Sequence, residues 1–172
     1  MSELETEATR PTDAVGRVLF FISYIFALIG GFLISGLSIM TVISVFGRYL
    51  FSAPIPGDFE MIALGTAVTV FLFLPYCHLM KGNVIVDLFL SWAPKSVQAF
   101  FDVLSNLLLA VIAGAISWRM WFGTQDMIEY NEITFILGIP IWWVFPFAVV
   151  SFALLSVSAL YTSVCSFGEM RQ

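Results

Sequence analysis

Charge is the scarcest resource in this sequence. Of 172 residues only 11% are charged, 7 Lys or Arg against 12 Asp or Glu, giving a net charge of -5. Soluble domains carry about 25% charged residues. A water-soluble globule of this length could not hide a composition that is 60% hydrophobic and 16% aromatic, so a soluble enzyme and a disordered regulator are excluded. The shortage of bases and a pI near 4.6 also exclude a nucleic-acid partner. There are two cysteines, Cys77 and Cys165, too few for a disulfide scaffold, and one histidine, His78, too few for a bis-histidine haem. The chain contains no G-x-S-x-G, H-E-x-x-H or paired-cysteine motif, so hydrolytic, zinc and thiol-redox chemistry lack their residues. No catalytic residue, cofactor or metal site is therefore expected. Both cysteines read as small packing residues. His78 reads as a helix-end histidine facing headgroups, since no third ligand lies near the Cys77–His78 pair.

What the sequence does have is long apolar runs between its few charges. Arg17 and Arg48 enclose 30 uncharged residues, Glu60 and Lys81 enclose 20, Asp102 and Arg119 enclose 16, and Glu132 and Glu169 enclose 36. A helix crosses the hydrocarbon layer in about 20 residues. These runs predict an all-α membrane protein with four transmembrane helices, at about 18–46, 59–80, 94–127 and 140–165. The third crossing works if Asp102 and Arg119 lie near opposite interfaces, where an arginine can snorkel. Pro140 opens the fourth helix, and Pro146 should bend it. The stretch 84–92 (VIVDLFLSW) is too short to cross and predicts a short interfacial amphipathic helix between helices two and three. The expected organisation is thus one domain, 18–166, between polar tails at 1–17 and 167–172. The acid-bearing first tail followed by a long apolar run is not a secretory signal.

Lysine and arginine counts set the expected orientation. With four crossings, Arg10, Arg17, Lys81, Lys95 and Arg171 share one side, and Arg48 and Arg119 the other. Both termini should be cytoplasmic. The opposite, outward side then collects Asp58, Glu60, Asp126, Glu129 and Glu132, with Trp118, Trp121, Trp142 and Trp143 as an interfacial belt.

Acids and bases fall at the helix ends and leave the middles without a handle for a charged solute. That argues for a packing role over a conducting one. Ser23, Ala27, Gly31 and Ser35 recur every four residues on the first helix, a small-residue face that admits either a neighbour in the bundle or another subunit. Asp58, after Pro56–Gly57, reads as the N-cap of helix two. The candidate partner interface comprises Ala27, Gly31 and Ser35 on the stripe, Arg48, Asp58 and Glu60 as an outward polar patch, and Asp87 and Trp92 in the interfacial segment. A self-sufficient four-helix channel or carrier using serine and threonine, and a membrane anchor for another complex, remain the alternatives.

The loops carry a resemblance. VFGRYLFSAPIPGDFEMIALG (45–65), FLFLPYCHLMKGNVIVDLFLSWAP (71–94) and ITFILGIPIWWVFPFAV (133–149) together resemble the DctQ-type small membrane subunit of tripartite ATP-independent periplasmic (TRAP) transporters. Three elements carry it: Arg48–Tyr49 closing helix one, Gly82 with Val86–Asp87–Leu88, and Leu137–Gly138–Ile139–Pro140 with Trp142. Asn83 stands where relatives often have histidine. The resemblance implies a bacterial inner-membrane system in which a large multi-helix subunit (DctM-type) moves an organic acid by sodium symport. A periplasmic substrate-binding protein (DctP-type) delivers the acid. The small subunit, embedded in membrane lipid, would brace the large one.

Overall fold

The computed structural model describes residues 14–52, 55–80 and 95–169. Four long helices account for nearly all of them: α1 (Ala14–Phe51), α2 (Asp58–Leu79), α3 (Lys95–Tyr130) and α4 (Val144–Glu169), with a single 3-10 turn, Ile141–Trp143, leading into α4. Each is long and apolar enough to cross a membrane. The segment 84–92, with Asp87 and Trp92, lies outside the described residues, as do most of the two tails.

α1 and α3 outrun the charge-free text on which they were expected. α1 starts before Arg17 and runs past Arg48, because a backbone already helical in the bilayer continues as long as its residues are good helix formers. It stops where Ser52 takes a left-handed φ of 52°. α3 ends in the same way, at Asn131 with φ 51°. Arg119 stands exposed 11 residues before the end of α3, level with Val149 through the nearby Ser117–Val149 bond. An arginine at that depth reaches the headgroups through its long apolar stem.

The helices pack as an open row. α1 lies on α2, α2 on α4, and α4 on α3, while α1 and α4 touch only slightly. The seam between α1 and α2 uses every seventh residue of α1: Ser23, Gly30, Leu37 and Ser44 are buried. Small residues on either side admit their neighbours, Gly30 against Leu72 and Phe73, and Gly65 against Leu37. α2 meets α4 through Phe71 and Phe152, ring centroids 5.7 Å apart. The α3–α4 seam is the most extensive of the three. Ala110, Ala113, Ala148 and Ala159 are buried there. Ser117 donates to the Val149 carbonyl at 2.9 Å and Ser156 to the Ala110 carbonyl at 2.8 Å, bonds that tie the helices across the seam. Only 17% to 28% of each span is buried, so most of every helix faces outward from the row.

Two prolines behave differently from expectation. Pro140 has extended backbone (ψ 127°) and precedes the 3-10 turn, so α4 proper begins at Val144. Pro146 therefore lies in its first turn, where an amide has no helical carbonyl to lose, and the cause for a bend disappears. Pro75, inside α2, does forfeit a backbone bond, to the carbonyl of Phe71. Its ring is fully buried.

Candidate functional site

A hydrogen-bonded cluster of charged and polar residues lies at one end of the row, around the start of α2. Ser44, the last buried residue of the α1 seam, donates its hydroxyl to Asp58 Oδ2 at 2.5 Å. The same hydroxyl accepts the Ile55 amide at 3.4 Å. Arg48, one turn further along α1, approaches Asp58 Oδ2 at 3.3 Å, with most of its side chain in the open. An exposed ion pair contributes little by itself. The hydroxyl bond, carried by a buried serine, is the better anchor.

Asp58 is the first residue of α2 rather than its cap. Gly57 holds the N-cap position with a left-handed φ of 74°, and no side chain caps it. Asp58 instead takes its own neighbour's amide, Phe59, on Oδ1 at 2.8 Å. A carboxylate in the first turn still complements the helix dipole. The cap is glycine because the chain reverses there in a conformation that L side chains avoid. A Cβ at Gly57 would also overlap the branch of Leu137.

That contact brings in the loop between α3 and α4. Glu60 spans 76 and 77 residues of sequence to accept the amides of Ile136 at 2.8 Å (Oε1) and Leu137 at 3.0 Å (Oε2). The loop is closed on itself around buried Thr134. Its amide donates to the Ile139 carbonyl at 2.9 Å, its carbonyl accepts Gly138 at 3.2 Å, and its hydroxyl accepts Ile139 at 3.0 Å. Gly138 takes the left-handed conformation the turn needs, φ 64°. A single bridge, Ile133 to Pro140, closes the base. Asp58 thus locks α1 to α2, and Glu60 locks α2 to the α3–α4 loop.

Among the candidate residues, Arg48, Asp58 and Glu60 share this end. Ala27, Gly31 and Ser35 do not join them. Ala27 and Gly31 are half-buried and Ser35 is exposed, and a Cβ on Gly31 would meet nothing within 4 Å. Of that stripe only Ser23 enters the internal seam. A four-residue spacing advances by about 40° around a helix at each step, whereas a seven-residue spacing drifts by only about 20°, so the α1 seam follows the latter. Asp126, Glu129 and Glu132 are exposed. On α2, the face running from Phe59 through Ile62, Ala63, Thr66 and Ala67 to Val70 and Phe71 forms an open apolar groove of about 450 Å³.

No group of three His, Cys, Asp or Glu among the described residues could hold a metal ion. Two assignments need correction. His78 is buried, with neither ring nitrogen hydrogen-bonded. It does not face headgroups because its position on α2 points into the row. Cys77, one step around the helix, is exposed and not packed. Sequence reasoning missed Ser44 and Thr134, whose partners are far away in sequence or are backbone groups, and which no motif announces.

No curated protein and no solved structure matches the chain. A family model does: Tripartite ATP-independent periplasmic transporters, DctQ component, over residues 37–168. The match takes in α2, both ends of the Glu60 clasp, all of α3 and nearly all of α4. The chain is a multi-pass membrane protein that belongs to the DctQ component family of tripartite ATP-independent periplasmic transporters.

Proposed function

We propose that this TRAP small membrane subunit braces the large, DctM-type transport subunit and itself carries out neither catalysis nor translocation. The system takes up an organic acid, driven by sodium, after delivery by a DctP-type periplasmic binding protein. The chain sits in the bacterial inner membrane with both termini cytoplasmic. The observation that carries this reading is the open row: four helices side by side, with most of their apolar surface unpaired and their acids confined to the helix ends. A flat layer of this kind suits a partner or lipid on its faces.

Most hydroxyls that could line a path between the chain's own helices are committed elsewhere, and three without a hydrogen-bond partner, on Ser23, Ser151 and Ser158, are fully buried. Ser35, Ser38, Thr41, Thr69, Ser105, Thr124 and Thr162 each donate to a carbonyl of their own helix four residues back. Ser117 and Ser156 donate across a seam. This weighs against a self-sufficient channel or carrier. Arg48, Asp58 and Glu60 are proposed to meet the partner proteins on the outward side, with Ala27, Gly31 and Ser35 against the large subunit inside the bilayer. Asp87 and Trp92 are assigned to the cytoplasmic side of that interface.

Co-expression of the tagged chain with the large membrane protein encoded beside it tests the reading. A complex that survives mild detergent and nanodisc reconstitution is expected. Separation of the two chains in both media contradicts it.

A further inference from the structure

The loop between α3 and α4 has the composition of a membrane-embedded segment and the hydrogen bonding of one. Phe135 is fully exposed (103%), Ile136 is 64% exposed, and Ile133 and Leu137 flank them. Loops that stand in water are polar and leave amides for the solvent. Here the amides of Thr134, Ile136, Leu137, Gly138, Ile139 and Ile141 all have partners inside the protein, and residue 140 is a proline with no amide to satisfy. Amides satisfied from within remove much of the cost of placing irregular chain at the boundary of the lipid layer.

The depth is right as well. α2 has 22 residues, about 33 Å at 1.5 Å per residue, close to the hydrocarbon thickness of about 30 Å. Leu137 rests on Gly57, next to the first residue of α2, so the loop lies at the boundary of that layer. Amphipathic rings border it on both sides: Tyr130 ends α3, and the Trp142–Trp143 pair, centroids 5.9 Å apart, follows it. Tyr130 and Trp143 are themselves exposed. Such rings favour the level of the headgroups.

We infer that the 133–139 loop is a lipid anchor, with Phe135 and Ile136 inserted into the interfacial layer of the bilayer and Glu60 holding the loop in its inserting shape. The occupant is lipid because the tip continues the ring belt of the spans on either side. The inference depends only on the chain crossing a membrane and is independent of the bracing role.

A nitroxide label reads the environment directly. Phe135→Cys is made in a Cys77→Ala, Cys165→Ala background and, as a second site should the first fold poorly, Ile136→Cys. The full chain is placed in phosphatidylcholine–phosphatidylglycerol nanodiscs, alone and with the large subunit. Glu129→Cys serves as the water reference and Val111→Cys as the lipid reference. The expected result is more oxygen and less nickel-chelate accessibility at the tip than at Glu129, between the Glu129 and Val111 values, in both preparations. Adding Glu60→Ala should move the tip towards the Glu129 value. Nickel accessibility equal to that at Glu129 overturns the inference. So does protection from both oxygen and nickel, which would put a protein surface on the loop.

Discussion

Gly57 is where three parts of the fold meet, and replacing it with alanine tests the geometry of the clasp quantitatively. Its φ of 74° costs an L residue about 1–2 kcal/mol. The added methyl group would overlap Leu137 at its branch carbon and both terminal methyls. Glu60 holds the Leu137 backbone in place through its amide at 3.0 Å, so relief requires the side chain to leave its rotamer. Overpacking of this kind costs about 1–3 kcal/mol, so Gly57→Ala should destabilise the chain by about 2–5 kcal/mol in all. Leu137→Ala alone removes a partly exposed side chain and should cost about 1–2 kcal/mol. In the double variant the overlap vanishes while the backbone strain stays. The two changes should therefore fall short of additivity by about 1–3 kcal/mol. Unfolding of the purified chain in mixed micelles, titrated with SDS and followed by circular dichroism, measures all four corners of the cycle. A Gly57→Ala chain within about 0.5 kcal/mol of the parent, or an additive double variant, would refute the contact between the α1–α2 turn and the α3–α4 loop.

Neighbouring glycines on α1 should separate internal from external packing. Gly30→Leu places atoms against Phe73 and Leu72, which a Cβ already approaches at 3.3 and 3.4 Å, and should lower the SDS midpoint of the isolated chain. Gly31→Leu, with open space around it, should leave that midpoint unchanged and reduce recovery of the large subunit in co-purification. Ser117→Ala and Ser156→Ala each remove one bond across the α3–α4 seam and should cost about 0.6–2 kcal/mol apiece, adding in the double variant. Glu60→Gln keeps the size of the side chain but halves its acceptors. Hydrogen exchange should quicken at the Ile136 and Leu137 amides and stay unchanged at Thr134, whose partner lies within the loop.

The number of helices was readable because charge spacing is a one-dimensional quantity. A stretch such as 18–47, uncharged for 30 residues, has one physical outcome in a membrane. Which side of a helix faces inward was much less readable. Ser23, Ala27, Gly31 and Ser35 look like a stripe in the text, but α1 packs along Ser23, Gly30, Leu37 and Ser44, and both patterns are built from small or apolar residues. In a chain so uniformly apolar, polarity marks no inner face. The candidate site was half visible. Asp58 and Arg48 sit beside a turn and invite pairing, and they do pair. Glu60 reads in the sequence as part of an outward polar patch because its partners are amide groups of the α3–α4 loop, which have no signature in sequence. Pro146 lost its expected bend for a related reason: the consequence of a proline depends on where the helix begins, and the 3-10 turn at Ile141–Trp143 moved that point inward.

A bracing subunit needs a companion to move solute. Purified chain, alone and together with the large subunit and the binding protein, is reconstituted into liposomes under an inward sodium gradient and supplied with radiolabelled organic acids. Uptake is expected only in the complete system, and none from the small chain alone. Sodium-dependent accumulation in liposomes holding only the small chain would contradict the reading of an open row that braces without conducting.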